Sequence, residues 1–227
     1  MTKNQLVYFA DPMCSWCYGF SPVMAALAER FEDRLPLHVV MGGLRAGNTE
    51  PMTDKDREYV RKAWGEVGAT TGEPFDMSFF DRPAFTYDTE PACRAVVTAR
   101  RLLPNLALPF KARVSRAFYA ENRDMTKAEQ IFDVAEEAGF DCAEFSAAFN
   151  APETQNDTFR DFLTAQELGI RGFPTVSPAT TRRATPSSPT ATARLTTSPI
   201  PWNAGSPPAR RSRRRRIRAA ASNPDLD

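Results

Sequence analysis

The sequence predicts an α/β fold in which short apolar strands flank a long run of helical segments. Residues 6–10 and 35–40 are apolar runs with the length of buried strands. Between residues 49 and 150, apolar side chains recur at helical spacing with repeated start and stop signals. A third extended run begins at residue 174, where a proline opens a strand. Within residues 1–176, the strands therefore come from the two ends and most of the helices from the middle.

The first strand leads directly into two cysteines that lie three positions apart, Cys14 and Cys17. A turn at Asp11-Pro12 precedes them, and an amphipathic helical pattern over residues 21–31 follows. The start of a helix has unpaired backbone N–H groups and a partial positive charge, which stabilise a thiolate. This order predicts that Cys14 is the nucleophile of a redox-active pair.

A structural zinc site is the main alternative interpretation of the two cysteines. Such a site needs two further ligands at short spacing, and the candidates are Cys93, Cys142 and the single histidine, His38. None of them stands in a second CxxC or an HxxxH pattern, and the two other cysteines are predicted to be small buried side chains. The order of strand, turn, CxxC and helix is instead typical of a thioredoxin-like redox motif.

The segment that ends in Phe173-Pro174 is the second candidate part of the site. A plain trans proline at a strand edge is the commoner arrangement in proteins. A cis bond before Pro174 would expose the backbone of Phe173, so that an extended substrate could pair with it. The presence of the CxxC motif favours the cis form here.

Three segments of the chain, taken together, resemble one known family. They are FADPMCSWCYGF at residues 9–20, VMGGL at residues 40–44 and GIRGFPT at residues 169–175. The chain is similar in these segments to the DsbA-like thioredoxin-fold oxidoreductases, in particular to their cytoplasmic FrnE-like branch. That branch is itself related to 2-hydroxychromene-2-carboxylate isomerases and kappa-class glutathione transferases.

The resemblance implies a role for each residue that matches the family motif. Cys14 attacks a disulfide, Cys17 resolves the mixed disulfide, and the Pro174 loop faces the two sulfurs. Trp16, Phe173 and Pro174 are the expected substrate-binding residues. Trp16 either shields the sulfurs and offers a stacking surface or simply caps the helix.

The resemblance also implies a thioredoxin-like fold with an inserted all-helical domain. Residues 1–48 form its N-terminal half, residues 49–150 the helical insertion, and residues 151–176 the return helix and the cis-proline loop. A tail rich in Arg, Pro, Ser, Thr and Ala occupies residues 177–227, and the family's C-terminal strand and helix are missing from it. The tail is strongly basic, whereas residues 1–176 carry more acidic than basic side chains. We expect the tail to be disordered or to be an aberrant, frame-shifted terminus.

Helix signals in the insertion follow one another in the order of the chain. Residues 54–67 form a charged amphipathic helix, a second helix opens at Glu90, and residues 112–119 continue the helical pattern. A capping box is predicted at residues 126–129, with Gly139 as the stop of that helix and Gly169 as the stop of the next one. Three phenylalanines either line a substrate groove or belong to the core: Phe79, Phe80 and Phe85.

The expected function is thiol-disulfide exchange with a protein or a small-molecule substrate. No cofactor is expected, with glutathione as an optional co-substrate. The first alternative is a glutathione-dependent isomerase or transferase, although those relatives carry serine where this chain has Cys14. The second alternative is a nucleic-acid binding module based on the basic run at residues 210–218, which lacks an aromatic platform. The oligomeric state stays open.

The beginning of the chain and its hydropathy predict a cytoplasmic protein without a membrane partner. Residues 1–5 lead directly into a short strand, which is too brief for the apolar core of a signal peptide. No stretch approaches the ~18 consecutive apolar residues of a membrane span. In a reducing compartment, a CxxC pair serves catalysis or sensing and not covalent stabilisation.

Overall fold

The computed structural model describes residues 3–31, 34–181 and 196–197. Within these ranges, four strands form one mixed sheet in the order β2-β1-β3-β4. Their bounds are β1, Lys3–Ala10; β2, Leu37–Met41; β3, Thr175–Thr181; and β4, Thr196–Thr197.

The register of the strands brings three loops to one edge of the sheet. β1 pairs with β2 in parallel, with Ala10 opposite Met41. β1 also pairs with β3 in the antiparallel sense, with Phe9 opposite Thr175. The carboxyl ends of β1 and β2 and the start of β3 therefore meet at this edge, and the cysteines and Pro174 lie just beyond it.

Eight α-helices occur in the described residues, five of them between residues 49 and 150. The five α-helices make up most of the regular structure between residues 49 and 150. Two short 3-10 helices and one isolated bridge from Pro51 to Thr86 complete it. The predicted mixed α/β class with helices inserted between strands is thereby confirmed. The helices are α1, Ser15–Gly19; α2, Ser21–Phe31; α3, Asp54–Thr71; α4, Glu90–Leu102; α5, Ala107–Tyr119; α6, Ala128–Glu137; α7, Cys142–Asn150; and α8, Pro152–Glu167.

The helix that follows the cysteines is interrupted after its first turns. α1 ends at Gly19, and α2 begins at Ser21 after the single residue Phe20. Pro22 explains the break, because it has no N–H to donate to the carbonyl of Tyr18 four residues earlier. α1 is thus a short, separate segment whose first turn contains the second cysteine.

Local sequence signals predicted the ends of the helices better than their beginnings. Gly139 and Gly169 have positive φ angles of 89° and 69° just after α6 and α8, so both predicted stops are confirmed. The capping box predicted at residues 126–129 is wrong, because Lys127 is the N-cap of α6 and makes no side-chain cap hydrogen bond, while the Thr126 hydroxyl donates to the Asp124 carboxylate. A capping box is present at the start of α3, between Thr53 and Asp56.

The sheet is covered on both faces, but very unequally. Tyr8 and Ala10 of β1 belong to a large core that the helices of residues 49–150 complete. Val7 and Phe9 point the other way, into a small cluster that Ala165 of α8 completes. Burial of a large apolar side chain contributes about 1.5–3 kcal/mol, so the helical face holds most of the hydrophobic stabilisation.

The densely spaced aromatic residues belong to the core. Phe79, Phe80 and Phe85 are all buried, and the first two pack against the ring of Trp64 at centroid distances of 4.8 and 4.9 Å. Of the two interpretations that the sequence allowed, the structure favours core packing over a substrate groove.

A buried ion pair joins the helices to the end of β2. The guanidinium of Arg100 donates to both carboxylate oxygens of Asp161 at 2.8 and 3.0 Å, and to the carbonyl of Val39 at 2.6 Å. The same carboxylate accepts the backbone N–H of Met41 at 2.8 Å. α4, α8 and β2 are therefore held together directly beneath the edge that carries the candidate site.

The sheet continues beyond the point at which the composition of the chain changes. β3 runs to Thr181, five residues past Val176, and Thr180 lies opposite Thr196 of β4. A two-residue edge strand is thus present where the sequence analysis expected none, in a stretch where threonine, a good strand former, is frequent. The remainder of the tail, including its basic run and the place of a final helix, lies outside the described residues.

Candidate active site

Cys14 is the N-cap residue of α1, immediately beyond the end of β1. Its backbone is extended, with φ −98° and ψ 120°, and its carbonyl accepts the N–H of Tyr18 at 3.0 Å. Its own N–H donates to the carbonyl of Asp11 at 3.1 Å, which closes the turn between strand and helix. The predicted place of Cys14 at the start of a helix is confirmed.

The two sulfurs differ in exposure and in acidity. Both thiols are free, and Cys14 is 7% exposed whereas Cys17 is 0% exposed. A hydrogen bond from the Cys17 thiol lowers the pKa of Cys14. Burial raises the pKa of Cys17 well above the ordinary thiol value. The pair therefore combines a more acidic thiol, which keeps a small exposed fraction, with a less acidic thiol that is fully buried.

The loop before β3 faces the sulfur of Cys14. The Phe173–Pro174 peptide bond is cis, and the Sγ atom of Cys14 lies 3.5 Å from the carbonyl oxygen of Phe173. A Cβ added to Gly42 would lie 2.0 Å from the ring of Phe173, so only glycine at this position leaves room for the ring. Gly42 thus serves the packing of the loop at the end of β2.

Trp16 is half-buried and lies between the two cysteines in α1. It packs against the large core that contains both cysteines. This position is compatible with shielding of the sulfurs from water, which is one of the two roles that the sequence suggested for it.

Asp11 is a fully buried carboxylate that shapes the turn before Cys14. It accepts the backbone N–H of Met13 at 2.8 Å and that of Leu44 at 2.7 Å. The thiol of Cys93 donates to it at 3.4 Å. Burial raises the pKa of Asp11, against the effect of these hydrogen bonds. The side chain ties the loops after β1 and β2 to each other, which sequence analysis of the Asp-Pro turn did not reveal.

Three donors from the inserted region bind carbonyl oxygens of the turn and of α1: Tyr87 in the loop before α4, and Lys111 and Ser115 on α5. The Ser115 hydroxyl donates to Pro12 at 2.7 Å, the Tyr87 hydroxyl to Met13 at 2.7 Å, and the Lys111 ammonium to Cys17 at 2.6 Å. We call Tyr87, Lys111 and Ser115 the helix-side donors. Sequence analysis missed all three, although Lys111 and Ser115 do stand within the apolar stripe of α5, where a polar residue needs a buried partner.

The remaining candidate metal ligands do not come together. Cys93 is buried as predicted, but Cys142 is exposed at the start of α7, which contradicts its predicted burial. Within residues 3–31, 34–181 and 196–197, no group of three or more His, Cys, Asp or Glu side chains could hold a metal ion. The zinc interpretation of the CxxC pair therefore finds no support in this part of the chain.

Two cavities lie on the side of α2 and α5. The smaller one measures about 220 Å³, and its walls include Tyr8, Ser21 and Lys111 among mainly apolar residues. The larger one, of about 720 Å³, lies at the start of α5 and the start of β2, and it is bordered by His38 and Arg100. Neither cavity is lined by Cys14, Phe173 or Pro174.

The family described as the DSBA-like thioredoxin domain matches residues 5–179 of the chain. The chain belongs to this family. The match covers the strands β1 and β2, the inserted helices and most of β3, so it extends to both parts of the candidate site.

Solved structures of DSBA-like proteins superimpose well on the chain. A protein from Nitrosomonas europaea, provisionally assigned as a protein disulfide isomerase, is 34% identical with a TM-score of 0.73, over 78% of this chain and 84% of that one. The cytosolic disulfide reductase DsbM from Pseudomonas aeruginosa is 28% identical with a TM-score of 0.66, over 86% and 88% of the two chains. DsbM has also been solved with GSH, and that structure is 26% identical to this chain.

Among curated proteins, the chain matches the ClpXP adapter protein SpxH from Halalkalibacterium halodurans. The two are 22% identical over 175 residues. The match covers 75% of this chain but only 57% of the length of that relative. In the described residues, no helix is both long and apolar enough to cross a membrane.

Proposed function

We propose that the chain is a thiol-disulfide oxidoreductase that uses Cys14 and Cys17 as its redox-active pair. The observation that carries this proposal is the contrast between the two sulfurs. Cys14 is the more exposed of the two at 7%, has a lowered pKa and lies 3.5 Å from the Phe173 carbonyl, whereas Cys17 is fully buried beside it with a raised pKa. An attacking thiol must be accessible as a thiolate, and a resolving thiol must stay protonated until a mixed disulfide has formed.

The reaction consists of two thiol-disulfide exchanges. The Cys14 thiolate attacks one sulfur of a substrate disulfide, the substrate S–S bond breaks, and the leaving thiolate takes up a proton. Cys17 then loses its proton and attacks the Cys14 sulfur, which releases the second substrate sulfur as a thiolate that is protonated in turn. The substrate gains two electrons and two protons, and a Cys14–Cys17 disulfide forms. The same steps run in reverse when the substrate is oxidised.

The proline loop supports a binding role for its backbone. The carbonyl of Phe173 points at the attacking sulfur, and an extended substrate that pairs with this backbone would present its own sulfur to Cys14. In this proposal, Pro174 keeps the loop free of a competing N–H donor, and Trp16 covers the sulfurs from the side of α1.

We further propose that the chain is a cytoplasmic member of the FrnE-like branch and that it acts on protein or small-molecule thiols and disulfides. The solved structure of cytosolic DsbM with GSH supports glutathione as a co-substrate. The two sulfurs themselves store the electrons, so the proposed reaction needs no other cofactor. Retention of sulfur at position 14 supports dithiol exchange over the isomerase or transferase chemistry of serine-containing relatives.

Single replacements of the cysteines test the proposal directly. We expect Cys14→Ser to reduce glutathione-coupled disulfide reduction to background, because the attacking sulfur is lost. Cys17→Ser should accumulate a mixed disulfide at Cys14, which mass spectrometry of the intact protein detects. Cys142→Ser is the matched control and should retain full turnover, because this sulfur lies far along the chain on the exposed start of α7. Turnover that survives in a folded Cys14→Ser protein would exclude the proposed mechanism.

A further inference from the structure

Lys111 is a buried lysine that reaches the redox-active pair from the inserted helices. It lies on α5 and is only 1% exposed. Its ammonium donates to the carbonyl of Cys17 at 2.6 Å and to the Ser21 hydroxyl at 3.2 Å. A side chain with a flexible stem and a point charge has thus been drawn completely into the protein at the end of α1.

The burial of this ammonium calls for a negative partner. A buried charge is strongly disfavoured unless it is paired. Among the described residues, no carboxylate lies within ion-pair distance of Lys111. The acidic groups whose charges act on it are Cys17, Cys14 and Asp11, and the ring of Tyr8 lies 5.9 Å from its nitrogen.

The redox pair is the partner that changes charge during the reaction. Burial lowers the pKa of Lys111, whereas negative charge at Cys17, Cys14 and Asp11 raises it. Asp11 already accepts two backbone N–H groups, from Met13 in its own turn and from Leu44 in the loop after β2, so the cysteine sulfurs remain as the counter-charge that appears on reduction. The disulfide form of the pair has no such charge.

A purely structural role for Lys111 would be to cap the carbonyl of Cys17 near the end of α1. That carbonyl has a second donor, because the Ser21 hydroxyl also reaches it at 3.0 Å. The capping role could therefore be met by any hydrogen-bond donor, and it does not account for a full buried charge. A replacement that keeps a hydrogen-bond donor but removes the charge can therefore separate the capping role from the electrostatic role.

We propose that Lys111 is a positioning residue that supplies the positive charge which stabilises the reduced, thiolate-bearing form of the Cys14–Cys17 pair. The proposal rests on the oxidoreductase function proposed above. Because the charge favours the reduced form only, it makes the Cys14–Cys17 disulfide a better oxidant than the same pair without it. The helical insertion thereby takes part in setting the redox balance of a pair that belongs to the thioredoxin-like half.

Three replacements of Lys111 separate its charge from its hydrogen bond. Lys111→Gln keeps a donor and removes the charge, Lys111→Met removes both, and Lys111→Arg keeps both. The neighbouring cavity of about 220 Å³ provides space for the larger guanidinium. Lys62→Met serves as the control, because it removes the charge of an exposed lysine on α3.

Two measurements on each full-length variant provide the test. The first is the apparent pKa of Cys14 from the pH dependence of its alkylation, with the modified cysteine identified by mass spectrometry. The second is the equilibrium between the dithiol and the disulfide in glutathione buffers. We expect Lys111→Met and Lys111→Gln to raise the pKa of Cys14, which moves the midpoint of its alkylation to higher pH. They should also shift the equilibrium about tenfold toward the protein disulfide.

Each outcome decides between the two roles. Wild-type values in Lys111→Arg and Lys62→Met, with shifted values in Lys111→Gln, support the proposal. Wild-type values in Lys111→Gln overturn it and leave Lys111 as a cap, and this comparison stands even where Lys111→Met does not fold. If the wild-type protein does not interconvert between dithiol and disulfide in glutathione buffers, the oxidoreductase function itself is refuted. The two failures are therefore distinguishable.

Discussion

The turn that carries the cysteines is held very differently on its two sides. On the side of the inserted helices, the helix-side donors bind three of its carbonyl oxygens at 2.6 to 2.7 Å. On the side of the proline loop, the contact is a single one of 3.5 Å between the Cys14 sulfur and the Phe173 carbonyl. One side provides three short hydrogen bonds, and the other provides one long contact to the sulfur.

This difference fits the proposed mechanism, in which one side positions the cysteines and the other exchanges substrates. Hydrogen bonds to buried carbonyls fix the backbone of the turn, so the sulfurs keep their geometry through the redox cycle. In the proposed mechanism, the proline side releases one partner and accepts another, and strong protein contacts there would compete with a substrate. The helices thus support the site from behind, while the sheet edge presents it.

The largest expected effect on stability concerns the ion pair between Arg100 and Asp161, which holds α4 and α8 to the end of β2. Arg100→Met leaves a buried carboxylate without its partner, and we expect a loss of about 3–5 kcal/mol in the free energy of unfolding. Urea denaturation measures this loss. The matched control is Arg160→Met, which removes a 74%-exposed arginine that pairs with Asp157, and it should cost at most about 1 kcal/mol. Equal losses in the two variants would mean that the end of β2 is not anchored by this pair.

Gly42→Ala tests how closely the proline loop packs on β2. The added methyl group would collide with the Phe173 ring, so we expect a loss of about 1–3 kcal/mol in stability together with slower turnover. Gly65→Ala in the middle of α3 is the control, because a Cβ there meets nothing within 4 Å. Alanine at that helical position should stabilise the protein by about 0.5–1 kcal/mol. Full activity in Gly42→Ala would show that the loop tolerates displacement of Phe173.

Tyr87→Phe tests the helix side of the comparison. The replacement removes the hydroxyl that donates to the Met13 carbonyl and leaves that buried oxygen without this donor. We expect a loss of about 1–3 kcal/mol in thermal or urea unfolding. Tyr59→Phe changes the same atom on a side chain that is 70% exposed and should leave stability unchanged. A neutral result for Tyr87→Phe would argue that the helix side is no more firmly held than the proline side.

The smallest expected effect is a shift in the pH at which Cys14 becomes reactive. The pKa of Cys14 is lowered chiefly by the hydrogen bond from Cys17, so Cys17→Ala should raise it. Thiolate reactivity is lost as the pH falls through the pKa, and the midpoint of Cys14 alkylation should therefore move to higher pH in the variant. Each unit of this movement corresponds to about 1.4 kcal/mol. Cys142→Ser should leave the midpoint in place, and an unmoved midpoint in Cys17→Ala would assign the acidity of Cys14 to another cause.

Much of the fold followed from local patterns in the sequence. The strand before Cys14, the helix that opens at Glu90 and the stops at Gly139 and Gly169 all rest on periodicity or on a backbone preference that acts within one turn. The two cysteines and the proline loop were recognised because their order along the chain is itself informative. The meeting of Cys14 and Phe173 then follows from the strand register.

Other features depend on partners that are distant in sequence and were therefore missed. Lys111 and Ser115 bind backbone carbonyls of residues about 100 positions earlier, and the pattern of α5 alone gives no hint of those partners. The Thr126 hydroxyl donates to the Asp124 carboxylate and does not accept a backbone N–H of α6, so the predicted capping box is absent. Cys142 was expected to be buried because most cysteines are, yet it lies where α7 begins at the surface.

The exposure of Cys142 matters for anyone who handles the purified protein. In air-saturated buffer, its sulfur meets the sulfur of a second molecule without any rearrangement of the fold. Covalent dimers made in this way would be products of storage, visible on a non-reducing gel and removed by a reductant. A serine at this one position would keep such bands from being read as assembly in the cell.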